Sequence, residues 1–147
     1  MASQEGISQG QTVDSGVDEK LKTATIAETL ARLEECSTLL KVVRDADLEY
    51  MLRRSGLHTL LAPRNEALSD LKPLNPDDAE EFLSHYLLPG AIESFDLRRV
   101  KSVKSLAGDT LQVRPENGTF RIGAALMVRS DIPCTNGVVH IMMTSAG

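Results

Sequence analysis

Apolar positions recur at helical spacing through the first third of the chain and give way to alternation in the last third. Ile26, Leu30 and Leu33 follow a four-then-three rule behind Thr25, and Thr25 with Glu28 is the reciprocal pair that caps a helix N-terminus. Ser37 is placed to cap a second helix, STLLKVVRDA, with Leu40 and Val43 turned inward. Leu48, Met51 and Leu52 then extend a third short helix, stopped by Ser55-Gly56. LHTLLAP is a short strand closed by Pro63, and NEALSDL a helical turn begun by Asn65. NPDDAEEFLSHYLLPG carries the strongest helix signal. Asn75 caps it, Pro76 takes the first helical position, and Asp77 and Asp78 complement the positive end of the dipole. Pro89-Gly90 is the predicted stop. Ala79, Phe82, Leu83 and Tyr86 share its apolar face.

Beyond about residue 97 the pattern turns to strands: VKSL, TLQVRP, TFRI, ALMV and VVHIMM, with PENG as a turn. Helices first and strands last predict an α+β domain. Residues 1–22 are rich in Gly, Ser, Gln and acids without apolar periodicity and predict a disordered leader, leaving 23–147 as the folded domain.

Composition narrows this picture. A chain of 147 residues with 41% hydrophobic residues can bury a core without metal or disulfide help, and 3% aromatics with no Trp makes that core aliphatic. A net charge of −5 argues against a nucleic-acid surface; Arg98, Arg99, Lys101 and Lys104 read as the solvated side of a strand. No apolar run reaches the ~20 residues of a membrane span. The chain as given opens without a secretory signal, which fits a cytoplasmic protein or a secreted one with its signal removed, so localisation stays open. Cys36 and Cys134 sit among apolar neighbours and read as buried free thiols; neither a metal nor another cofactor is expected.

The chemistry on offer is sparse. His85 and Tyr86 in HYLLPG are either a site or two ring-bearing wedges, with Tyr86 in the core and His85 at the helix rim. Cys134 with His140 is a formal nucleophile–base pair, and His58 reads as an exposed strand edge. No Gly-rich phosphate loop, His-Glu-x-x-His, Gly-x-Ser-x-Gly or EF-hand loop is present, so the sequence points away from an enzyme. Asn117-Gly118-Thr119 is a glycosylation sequon.

Three stretches, in order, resemble a known family. TLLAPRNEAL (59–68) resembles the first signature of the fasciclin domain, SLAGDTLQV (105–113) its central hairpin, and SDIPCTNGVVHIM (130–142) its second signature. The resemblance covers roughly residues 23–143. It implies a wedge: a β-sandwich of about seven strands with N-terminal helices packed on one side, used mostly in cell adhesion, with some members binding apolar ligands. It implies Asn65, Asn136, Gly137 and His140 as motif residues, with His140 bonding to the turn near Asn65. It also offers Asp131-Ile132 as an exposed interaction pair. The plainer reading of that pair puts Ile132 in the core and Asp131 on the TNG turn. HYLLPG transposes the family's Tyr-His order, rotating each ring by about 100° on a helix. Met143 stands where the family has Asp.

The leading expectation is a binding module for a protein partner or cell adhesion through Asp131, Ile132, His85 and Tyr86. One alternative is a carrier of an apolar small molecule in a pocket softened by Met127, Met142 and Met143. The other is a cytoplasmic enzyme using His85 and Tyr86. Partner identity and oligomeric state are not written in the sequence.

Overall fold

Thr25 opens α1 (Ile26–Ala31) by the predicted reciprocal cap: its hydroxyl accepts the Glu28 N–H at 3.2 Å, and the Glu28 carboxylate accepts the Thr25 N–H at 2.8 Å. This computed structural model describes residues 24–143, so the predicted leader lies outside the described residues.

After a 3-10 turn at Glu34–Cys36 comes α2 (Ser37–Asp45). Ser37 begins this helix and does not cap it. The cap is Asn65, whose side-chain oxygen accepts the Thr38 N–H at 2.8 Å while its amide donates to Ser37 Oγ at 3.0 Å and to the Glu34 carbonyl at 3.1 Å. The buried side of α2 is Leu39 and Val43, and Leu40 only packs against its margin. A 3-10 turn at Glu49–Leu52 leads into β1 (His58–Pro63), followed by the predicted turn at Asn65–Leu68.

The helix α3 (Pro76–Ser84) starts as read, with the Asn75 side chain accepting the Asp78 N–H at 2.8 Å. It ends at Ser84, five residues before the predicted Pro89-Gly90 stop. Leu87–Pro89 is instead a strand, β2, antiparallel to β1 with Thr59 opposite Leu88 and Leu60 opposite Leu87. Leu87 and Leu88 are both fully buried, so alternate faces of the chain are satisfied there as they could not be on one helix face.

A short helix α4 (Ser94–Leu97) precedes β3 (Ser102–Lys104), β4 (Thr110–Glu116), β5 (Thr119–Ile122), β6 (Ala125–Cys134) and β7 (Gly137–Met142). Asn117 and Gly118, both at positive φ, make the β4–β5 hairpin turn. The strand β6 outruns its predicted ALMV core because SDIPC continues the ladder past two irregularities, between Met127 and Arg129 and between Arg129 and Ile132.

The seven strands form one mixed sheet in the order β2-β1-β7-β6-β5-β4-β3, with β1 and β7 parallel and the other pairs antiparallel. Its two edges approach each other. The Leu106 N–H donates to the Leu87 carbonyl at 2.8 Å and the Ala107 N–H to that of Ser84 at 3.2 Å, so the sheet is nearly closed. The α+β class and the strand number are as expected. Leu30, Leu39, Leu52, Leu60, Leu83 and Ile141 are buried between helices and sheet, an aliphatic interior. No helix of the described residues is long and apolar enough to cross a membrane.

Candidate functional site

His140 sits in the middle of β7, 1% exposed, with both ring nitrogens engaged. Nδ1 accepts the Asp131 N–H at 3.0 Å, so the proton is on Nε2, which donates to the Ile92 carbonyl at 2.6 Å. Burial holds this imidazole below its ordinary pKa, against the opposing pull of the Ile92 carbonyl, Asp131 and Glu93.

Asp131 occupies the second irregularity of β6 at φ +61°, the left-handed conformation that Asp tolerates. Its carboxylate accepts the Ser94 N–H at 2.7 Å and also takes the Ser94 hydroxyl. Thr59, fully buried in β1, donates its hydroxyl to the Gly90 carbonyl at 2.6 Å and accepts the Ile92 N–H at 2.8 Å. Thr59, Asp131 and His140 therefore clip the segment Gly90–Ser94 to three strands of the sheet. A local cap finishes the job: the Glu93 and Asp96 side chains each accept the other's backbone N–H.

What the clip presents is α4. Leu97 points inward at 2% exposure, and Phe95 points out at 55%. The Arg99 guanidinium lies 4.4 Å from the centroid of the Phe95 ring. Val100 follows at 39% exposure, and Arg98, Lys101 and Lys104 are exposed around it. Lys104 does lie on the outer side of β3, as read from the sequence, whereas Arg98 caps the end of α4 and Arg99 lies in the turn after it.

The residues singled out in the sequence are dispersed over several places. Ile132 is 6% exposed and in the core, so it offers no exposed aliphatic anchor; Asp131 is exposed but committed to Ser94 and not to the TNG turn. His140 bonds to Asp131 and Ile92 and not to the turn at Asn65, because that asparagine is used at the start of α2. Asn136 is also a cap: its side-chain oxygen accepts the Ile26 N–H at 2.9 Å, and its amide donates to the Leu52 and Arg54 carbonyls at 3.0 and 3.2 Å. Gly137 lies against β1, where an added Cβ would meet the His58 carbonyl oxygen at 1.7 Å. His58 itself is half-buried, correcting the exposed-edge reading.

His85 caps the end of α3 and bonds through Nδ1 to Asp109, which also accepts the Ser105 hydroxyl at 3.2 Å. The His85 bond, chiefly, and the Ser105 bond after it hold the Asp109 carboxyl below its usual pKa, against its desolvation. Tyr86 is 5% exposed, its ring 5.0 Å from that of Phe82. The two neighbours thus serve different surroundings, His85 a rim and Tyr86 the core. Beside His85 lies an open groove of about 680 Å³ whose walls include Arg54, Asp77, Glu80 and Glu81. These charged walls do not suit an apolar cargo, and Tyr86 does not line them. Met127 and Met142 face each other across the β6–β7 ladder, both buried, so they are core packing, while Met143 is 44% exposed.

Neither thiol is activated. Burial pushes Cys36 up to about 12 and raises Cys134, whose thiol donates to Thr29 Oγ1 at 3.2 Å, and both nitrogens of His140 are engaged elsewhere. Both cysteines are free, as read from the sequence, but only Cys36 is buried and Cys134 is half-buried. No cluster of three or more metal-ligating side chains is found among the described residues. Sequence reasoning missed Thr59 and Phe95, and read Arg99 as the side of a strand and not as the neighbour of an exposed ring. The signals available were the Glu93-x-x-Asp96 cap and the four-residue spacing of Phe95 and Arg99.

Residues 34–144 match the model of the fasciclin domain. The chain is 32% identical over 127 residues to the protein sll1483 of Synechocystis sp., covering 80% of this chain and 70% of that one. It is 30% identical to the transforming growth factor-beta-induced protein ig-h3 of Sus scrofa over 82% of its own length but only 19% of the relative's. Human periostin matches at 26% identity, over 80% of this chain and 15% of that protein. Among solved structures, a FAS1 domain pair from the insect cell adhesion molecule fasciclin I superposes with a TM-score of 0.71 at 17% identity, covering 84% of this chain and 50% of that one. The nearly closed seven-stranded sheet and a family match over most of the chain agree: this protein belongs to the fasciclin domain family.

Proposed function

We propose that this chain is a protein-binding module of the fasciclin type, and that α4 with the turn after it is the face it presents. The observation that carries this reading is Phe95. In a chain with three phenylalanines, one is 55% exposed, on a segment fastened from below by Thr59, Asp131 and His140. An aromatic ring held rigidly in solvent loses little conformational freedom on binding, and the Arg99 guanidinium beside it is the other side-chain type favoured at interface hot spots. Asp131 then contributes by positioning Ser94 and not by touching the partner. Adhesion, the role printed for the insect relative, is a use such a face would serve.

The test is site-specific photo-crosslinking in the source cells, with the photoreactive residue at position 95 and, as a control, at exposed Lys72. A discrete protein adduct at 95 and not at 72 supports the reading. Discrete adducts at 72 with none at 95 would move the binding face elsewhere.

A further inference from the structure

Resting on that reading of the α4 face, we propose that its partner is a short acidic protein segment bearing an apolar side chain, received by Arg98, Arg99, Lys101 and Lys104 around Phe95 and Val100. Four cations fall within residues 98–104 of a chain whose net charge is −5, so the rest of the molecule is more negative still. Elsewhere among the described residues Lys41 pairs with Asp45, Arg44 with Glu49, Arg64 with Glu66, Arg121 with Glu116 and Arg129 with Glu35, while Arg32, Arg53, Arg54, Lys72 and Arg114 have no ion pair but form no comparable run. Among the described residues, none of the four cations of 98–104 has an ion-pair partner.

The nearby acids Glu93, Asp96 and Asp131 are exposed but engaged with backbone N–H groups. Glu93 and Asp96 accept each other's backbone N–H groups, and Asp131 accepts from Ser94. These carboxylates keep their charge, so residues 93–104 set two acids against four cations and remain net positive. Phe95 and Val100 are exposed beside that charge, so the face asks for anions and an apolar contact together.

The overall charge selects among anionic partners. A bilayer or a long polyanion extends past this stretch and also meets the acids around it, in a chain whose remainder is net negative. A short segment feels mainly the charges within a Debye length, about 8 Å at physiological salt, and the stretch 93–104 is net positive. A short acidic stretch of protein is the class that fits.

The experiment measures anisotropy of a fluorescein-labelled synthetic peptide of Asp and Glu with interspersed Leu, titrated with the full chain. The expected result is saturable binding that weakens by about tenfold or more as salt rises from about 0.05 to about 0.25 M. It should be absent for the peptide with Asn and Gln in place of the acids. Lys101→Glu with Lys104→Glu should weaken it by about tenfold or more, and Phe95→Ala by a comparable factor, while Lys72→Glu leaves it within about twofold. These substitutions are at exposed positions, and an unchanged thermal midpoint verifies their folding. No saturable binding, or equal binding by the charge-reversed variant, overturns the proposal. So does binding to heparin oligosaccharide or phosphatidylserine vesicles but not to the peptide. If the peptide fails while crosslinking at 95 still captures a discrete protein, the face survives and the acidic class falls. If crosslinking maps to another face, the reading beneath both falls.

Discussion

The backbone N–H of Asp131 donates to Nδ1 of His140 at 3.0 Å, and this bond makes the neutral imidazole a structural requirement. A protonated ring has no acceptor to offer, so acid must break the contact. Burial depresses the folded-state pKa of His140 below the ordinary 6.5. Between that depressed value and 6.5 the unfolded chain binds the proton and the folded chain does not, so stability is full above 6.5 and falls as pH drops through this window. Urea midpoints taken from about pH 7.5 to about pH 5 should decline for the native chain. His140→Gln can accept and donate at the same places without titrating, and its profile should be flatter. Parallel profiles for the two proteins would remove His140 as the origin of the acid sensitivity.

Asp131 does two separable things: it adopts φ +61° and it caps Ser94. Asp131→Gly keeps the first and loses the second, and Asp131→Ala loses both. Loss of the cap costs about 1 kcal/mol, and Ala adds strain of about 1–2 kcal/mol at a left-handed position. The expected order of stability is native, then Gly, then Ala, read from denaturation midpoints. Hydrogen exchange at the Ser94 N–H should accelerate in both variants. If Gly and Ala are equally destabilised, the backbone conformation contributes nothing there.

At the start of β7, Gly137 stands at φ +149° with no room for a side chain, the His58 carbonyl oxygen lying 1.7 Å from where a Cβ would be. The parallel β1–β7 pairing depends on this close approach, with His58 opposite Gly137. Gly137→Ala must separate the two strands and should cost more than about 3 kcal/mol, in the range of severe backbone and overpacking lesions. Soluble expression and circular dichroism report it: a folded Ala variant with a native midpoint would mean that the strands can part freely.

Local signals were legible and remote ones were not. Thr25-x-x-Glu28 and Asn75-Pro76-x-Asp78 carry their helix starts within four residues, so the sequence shows them directly. Ser37 misled because the cap of α2 comes from Asn65, and the α1 N-terminus is completed by Asn136, 110 residues away from the Ile26 N–H it accepts. HYLLPG misled for the same reason. Helical pattern and strand pattern both fit two leucines before Pro-Gly, and pairing with β1, a tertiary event, chose the strand. At the site, the motif residues Asp131 and His140 were visible, but what they hold was not, because neither says which loop will dock against it. Glu93 as an N-cap is less familiar than Ser or Thr, and the Glu93–Asp96 pair passed unseen.

The sheet edges are brought together beside one more pair, His85 with Asp109, which joins the end of α3 to the turn between β3 and β4. His85, chiefly, and Ser105 hold the Asp109 carboxyl below its ordinary value of 3.8, so its contribution is present above that value and is lost as pH falls through the lowered one. Both side chains are 39% exposed, which keeps the interaction screened and its effect small. Asp109→Asn should therefore lower the thermal midpoint slightly at neutral pH. Below the lowered carboxyl pKa the native chain has lost the same charge, and the two midpoints should converge. A deficit that persisted undiminished in acid would assign the loss to the neutral hydrogen bonds with Ser105, and the charge on Asp109 would then contribute nothing to closing the sheet.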